Sequence, residues 1–346
     1  MGTALVTLCL SLSTVAHAQE ILAGTAGIHG IVRDERGRAV PFALVVLLRT
    51  ADTSVAPLAS TLSDSAGSFA FGHIALGTFF LHVRRLGYQM EAPTRTVVMS
   101  AQDDVVILRS IASPILLPAV RVSNACLDNR TLSQDSGLAT LWTEAKKTVA
   151  ARRAFFDAYH FLVDVSSLME KPGSKTPNVR HDTTYAVDPG QPLADTGRTG
   201  QPGPFGELRR DNGKLLTTIR NPVEADLLDT TFLDRYCLEG GVDQDSAGSL
   251  VVTFRPLTPG PEGEMAMRGT ITFDTAIFGP IAIANTFEYQ GQIVGHSSVT
   301  YANGIIGPAP VRLPIRTMLD FVDPRKKAVF VRFTIARTYR DFVKLP

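Results

Sequence analysis

The sequence predicts a mainly β protein, a small sandwich followed by a β-rich α+β unit. Between residues 27 and 122, short runs of strand-forming residues alternate with turn signals and show no helical period, the pattern of an all-β sandwich. After Asp135-Ser136 the period changes, and Leu138, Leu141, Trp142, Ala145 and Val149 recur at helical spacing. Beyond that helix the strand pattern returns.

A chain of 346 residues has room for two or three domains. Its 34 Lys plus Arg nearly cancel 33 Asp plus Glu, leaving a formal net charge of +1. Such a balance supplies no electrostatic drive toward nucleic acid or acidic lipid. Ala4 to Ala16 is an apolar stretch that ends in Ala16-His17-Ala18. Its length and its A-x-A end predict a signal peptide over residues 1–18, cleaved between Ala18 and Gln19. The stretch is shorter than the roughly 20 residues of a spanning helix; the alternative is a buried first helix. No Lys or Arg precedes it, so either Met1 alone carries the n-region charge or translation starts upstream. Cys9 lies inside the apolar run behind Leu8 and does not fit a lipoprotein acceptor. No later stretch is long and apolar enough to span a membrane as a helix. The expected product is exported and soluble, in an oxidising compartment.

The first unit, residues 19–122, carries strands at Ile28–Val32, Ala43–Leu48, Ser68–Phe71, Thr78–Val83, Thr94–Met99 and Asp104–Leu108. Asp34-Glu35-Arg36-Gly37 and Asp64-Ser65-Ala66-Gly67 are turns, with glycine where a positive φ costs little. Phe69, Phe71, Phe79 and Leu81 are set to fill a two-sheet core. Such a unit should close and fold without the rest of the chain. The run from Gly30 through Asp34 and Gly37 to Pro41 and Ala43-Leu44-Val45 resembles the opening of the carboxypeptidase regulatory-like domain. Asp64 to Phe71, then Gly77-Thr78-Phe79-Phe80-Leu81 and Gly87-Tyr88, resemble its later motifs in order. The resemblance covers about a quarter of the chain and implies a seven-stranded, transthyretin-like Greek-key β-sandwich. Modules of that family accompany metallocarboxypeptidases, sugar-binding proteins and the plug regions of outer-membrane transporters.

Ile111 to Val122, with Pro114 and Pro118, reads as a connector to the second unit, residues 123–346. Trp142 lies on the apolar stripe of the helix and reads as core. Lys146, Lys147, Arg152 and Arg153 are placed near the helix's far end, where cations suit its dipole, and are expected on a solvated face. Strands are predicted at Tyr159–Val165, Tyr185–Val187, Leu215–Ile219, Leu250–Phe254, Gly269–Phe273, Ile281–Tyr289, Ile293–Tyr301 and Ala328–Arg337. Residues 188–206, rich in Pro and Gly, read as a long exposed loop. The simplest architecture is a curved antiparallel sheet packed on one main helix. From Asn124 onward the chain also resembles a group of bacterial envelope proteins with no established activity that carry the same N-terminal module. That likeness rests on Cys126, on Leu141 to Ala145, on Leu227 to Leu233 before Tyr236-Cys237, and on Gly269 to Asp274. Removal of the signal peptide leaves Cys126 and Cys237, an even count that in an oxidising compartment favours a disulfide, as does the resemblance. The alternative is two unrelated buried thiols.

No catalytic residue, cofactor-binding residue or metal ligand is assigned. A zinc peptidase needs a His-x-x-Glu pair, and the one example, His17 to Glu20, straddles the cleavage site. The remaining histidines, His29, His73, His82, His160, His181 and His296, have no partner at metal-ligand spacing. Gly295-His296-Ser297-Ser298-Val299 lacks the second glycine of a nucleophile elbow. Asp103-Asp104 and Asp243 with Asp245 read as turn residues, although paired carboxylates can serve glycoside chemistry. Gly200 to Gly206 has prolines where a phosphate loop needs amides. These observations lead to the expectation of a non-catalytic binding or assembly protein of the bacterial cell envelope, periplasmic, outer-membrane-associated or secreted. Its partner would be an envelope protein or a polysaccharide. Two other expectations stand beside it: a hydrolase of peptides or glycans with its site in residues 125–346, and a carrier whose curved sheet holds a hydrophobic ligand.

Overall fold

A computed structural model of the chain describes residues 25–344, except 54, 56, 86, 90–92, 99–103, 113–125, 176, 190–204, 212–213, 230, 245–248, 259–261, 275–278 and 303–310. The signal peptide with Ala18 and Gln19, and the connector prolines, lie outside the described residues.

The first unit is a sandwich of two four-stranded sheets. Its strands are β1 (Thr25–Asp34), β2 (Leu44–Leu48), β3 (Ala59–Leu62), β4 (Ser68–Ala75), β5 (Gly77–Arg84), β6 (Tyr88–Gln89), β7 (Thr94–Val98) and β8 (Asp104–Ala112). One sheet runs β4-β1-β8-β6 and the other β3-β2-β5-β7. An eighth strand joins the seven expected because β6 adds a two-residue pairing to the edge of β8. Strand β3, which the sequence pattern did not mark, is Ala-Ser-Thr-Leu, too small and polar to announce itself. Phe69, Phe71, Phe79 and Leu81 meet Ile28, Val32, Val45 and Leu47 in the core between the sheets. The Asp34 carboxylate holds the first turn, accepting from the backbone N–H of Arg36 at 2.9 Å and of Arg38 at 2.8 Å. Gly67 sits at φ +78°, where a Cβ would come within 2.7 Å of the Val32 carbonyl, so the second turn needs glycine.

Strand β2 is buried along its whole length. Alternation sends Val45 and Leu47 into the sandwich, and Leu44, Val46 and Leu48 out through the other face. There, with Leu62, they pack against Ala154, Phe155, Phe161, Val163, Val311, Leu313 and Tyr339 of the second unit. The outer face of the sandwich is thus an apolar interface. This changes the expectation that the first unit closes alone, because one of its sheets is completed only by the neighbouring unit.

The second unit begins with β9 (Cys126–Leu127) and α1 (Ser136–Ala158). Strands β10 (Tyr159–Glu170), β11 (Val179–Val187), β12 (Gly206–Asp211) and β13 (Lys214–Ile219) follow, then a single helical turn, α2 (Glu224–Leu227). The rest is β14 (Tyr236–Gln244), β15 (Leu250–Pro256), β16 (Ala266–Phe273), β17 (Pro280–Tyr289), β18 (Gln292–Tyr301), β19 (Pro314–Asp323) and β20 (Ala328–Lys344). Ten of these strands form one sheet in the order β11-β10-β20-β19-β18-β17-β16-β15-β14-β9, and β12-β13 is a separate hairpin. Consecutive strands β14 to β20 pair antiparallel, the arrangement short turns allow.

Asp135 caps α1, its side chain accepting from the Leu138 N–H at 2.9 Å. Leu138, Leu141, Trp142 and Ala145 press onto Val252, Phe254, Ile271, Ile283, Phe287, Val299 and Tyr301 of the sheet. The later part of the helix, Ala154 and Phe155, joins the interface with the sandwich. The helix therefore serves two cores. It runs on through Phe155-Phe156 to Ala158, so the basic cluster lies well before its end and the last turn holds no cation. Arg153 is exposed, whereas Arg152 is buried rather than solvated.

Candidate binding face

Cys126 and Cys237 are joined, with Cα atoms 5.3 Å apart and a sequence separation of 111. The bond ties β9 to β14 at the sheet edge, fastening the start of the second unit to its middle. The histidines are dispersed, and the described residues contain no group of three or more His, Cys, Asp or Glu suited to a metal ion.

Beneath α1, the chain brings together three residues that sequence reasoning did not select. Glu224, at the start of α2, receives Arg152 of α1 on one carboxylate oxygen and the Tyr301 hydroxyl of β18 on the other. All three are buried. Burial pushes the Tyr301 phenol well up, so it stays protonated and donates. Burial also lowers the Arg152 guanidinium from its ordinary value, and the Glu224 carboxylate is what makes a buried cation tolerable there. The grouping is a strut between helix and sheet. No period announces it, because its members are 72 and 77 residues apart (224 − 152 and 301 − 224).

The opposite face of the sheet is polar. Register places Arg268, Thr286, His296, Asp320 and Arg332 side by side across β16 to β20. The Thr286 hydroxyl and His296 Nδ1 are 3.2 Å apart. Arg332 grips both carboxylate oxygens of Asp320 at 2.7 Å, so that carboxylate is committed to an ion pair rather than to orienting His296. Arg268 donates to Glu288 at 2.6 Å. One residue pair further along lies a second row, Thr270, Ala284, Ser298 and Met318. Together with Thr253, Arg255 and Glu239, the second row and Arg268, Thr286 and His296 of the first line an open cleft of about 630 Å³. The signal for this face was present as a period of two, since Thr270, Thr286, His296 and Ser298 each alternate with a buried neighbour. Which polar residues stand together depends on register.

The α1 side of the same sheet is filled by Trp142, Phe254, Phe273, Phe287 and Tyr301, all fully buried. An apolar groove in this unit would favour the carrier expectation, and at these positions large side chains occupy the space.

The architecture defines a two-unit β protein in which a sandwich module is packed against a helix-backed sheet. Residues 27–109 match the carboxypeptidase regulatory-like domain, as the N-terminal motifs led us to expect. No curated protein matches the chain. Similar solved structures include a minor pilin of Streptococcus agalactiae, at 16% identity over 28% of this chain and 49% of the pilin, with a TM-score of 0.22. The chain thus spans about half the length of that pilin. A DUF1329 family protein of Desulfovibrio piger is similar at 9% identity over 60% of this chain and 94% of its own, TM-score 0.33. A LolA superfamily protein of Nitrosomonas europaea is similar at 11% identity over 58% and 94%, TM-score 0.29.

Proposed function

We propose that the chain is an exported, non-catalytic binding or assembly protein of the bacterial cell envelope, acting in the periplasm, at the outer membrane or after secretion. The observation that carries the reading is the open cleft of about 630 Å³ on the sheet face turned away from α1, where hydroxyl and guanidinium groups are set among apolar surface. Hydroxyls from Thr253, Thr270, Thr286 and Ser298, with the guanidinium groups of Arg255 and Arg268, give it directional hydrogen-bonding capacity. Strands hydrogen-bonded on both sides hold those groups still, which limits the entropy lost when a ligand is ordered on them. A polar polymer of the envelope, a polysaccharide or an extended protein segment, suits such a surface. The sandwich is then a brace that presents the sheet. The Thr286–His296 contact favours a second reading, a hydrolase with a threonine nucleophile.

The test is capture from the native envelope fraction on the immobilised mature protein, with glycan, lipid and protein analysis of what elutes. A defined polysaccharide or protein recovered by the wild type and lost with Arg268→Ala and Thr270→Ala supports binding at the cleft. Recovery unaffected by those changes excludes the cleft, and cleavage of the captured material that Thr286→Ala abolishes favours the hydrolase.

A further inference from the structure

A second cavity, of about 120 Å³, lies where the sandwich, α1 and the sheet unit meet. Its cationic residues are Arg84 and Arg85 from the end of β5, Lys147 and Arg152 from α1, and Arg312 ahead of β19; Glu224 is the carboxylate on its wall. The neighbouring acids are already engaged: Glu224 by Arg152, Glu144 by Lys147 at 2.6 Å, and Asp274 by Arg312 at 2.7 Å. Five cations thus line the cavity against one carboxylate on its wall, and ion pairs to Glu224, Glu144 and Asp274 engage three of the five. The surplus sits on Arg84 and Arg85, whose bonds among the described residues go to carbonyls, Thr53 at 2.8 Å and Phe42 at 3.2 Å. The Arg312 side chain is only 9% exposed. Its Nε and that of Arg85 are buried without a hydrogen-bond partner among the described residues.

A cavity lined by more cations than carboxylates specifies an occupant that is negative. We propose that this junction binds an oxyanion, a phosphate or carboxylate group, which pairs with the guanidinium groups of Arg84 and Arg85 and neutralises the pocket. The volume suits one such group with a few waters, and planar guanidinium forks match the geometry of its oxygens. The potential is felt nearby, since the pKa of His82 is lowered by its burial and then by Arg84 and Lys147. Because the lining comes from both units, the anion binds only when they are docked and stabilises the docked state in return. This site is separate from the sheet-face cleft and does not depend on it.

The experiment is a thermal-melt titration of the full mature chain with sodium phosphate, sodium succinate or sodium chloride at matched ionic strength, with ³¹P line broadening as the direct readout for phosphate. A saturable rise in Tm with phosphate or succinate that chloride does not reproduce, weakened at least tenfold in midpoint by Arg85→Met, is the expected result. The oxyanion that acts tells phosphate from carboxylate. If Arg85→Met does not fold, Arg84→Gln, on the other member of the surplus, takes its place with the same expectation. Equal responses to all three salts, or a response unchanged by the substitution, overturns the proposal.

Discussion

Expressing residues 19–122 without the second unit should give a chain that does not melt cooperatively. In the full protein Leu44, Val46, Leu48 and Leu62 are each no more than 5% exposed, and their contacts lie across the junction. Fully burying a side chain of this size is worth about 1.5–3 kcal/mol. Four of them lose roughly 6–12 kcal/mol when the cover is removed, an upper bound because the unfolded chain already hides some of this surface. A domain of this size has only about 5–15 kcal/mol of net stability. The fragment therefore falls to marginal stability, with a flat apolar sheet face open to self-association. Circular dichroism against temperature, paired with analytical ultracentrifugation, should show a broad transition or oligomers. In the full chain, Leu48→Ala should cost about 2–5 kcal/mol, on the order of 10 °C in Tm. A monomeric fragment that melts sharply within a few degrees of the intact protein would refute the reasoning.

Three further outcomes follow from the described contacts. Arg152→Met and Glu224→Gln should each destabilise by about 3–5 kcal/mol, because each strands a buried partner; the double variant should cost clearly less than the sum, as read from denaturant midpoints. Cys126→Ser and Cys237→Ser should be similarly destabilised, toward the ~4.7 kcal/mol that chain entropy assigns to a loop of about 100 residues, and peptide mapping without reductant should recover the two cysteine peptides linked. The Asp164 carboxyl is held below its usual range by Arg340, which donates at 2.8 Å, and then by Thr184 at 2.6 Å. A depressed folded-state pKa contributes stability above the unfolded value of roughly 3.9 and loses it as pH falls through the folded one. Asp164→Asn should accordingly lower Tm at pH 7 and lose that effect as pH falls through the carboxyl's depressed folded-state pKa, and an equal loss at every pH would mean that charge is not the cause.

The sequence by itself determined the local features of this protein. The regulatory-like motifs, the turn aspartates, the capped helix and most of the strands follow from short-range chemistry, in which a residue's neighbours along the chain are also its partners. Where that holds, as for Asp34 with Arg36 and Arg38, the structure adds distances and no surprise. The weak spots were local too: Ala59–Leu62 and Pro314–Asp323 carry strands without a strong alternating signal. The unbroken apolar run of β2 was a legible hint of burial on two faces, but it does not name what covers the second. Only the tertiary structure decided that the cover is α1 and the sheet, that Arg152 faces Glu224 instead of water, and that Thr286 stands beside His296. Each of those depends on strand register or on packing between residues far apart in the chain. A shift of one residue in a strand would send the polar row to the core face, and no pattern within a single strand fixes the register of its neighbour.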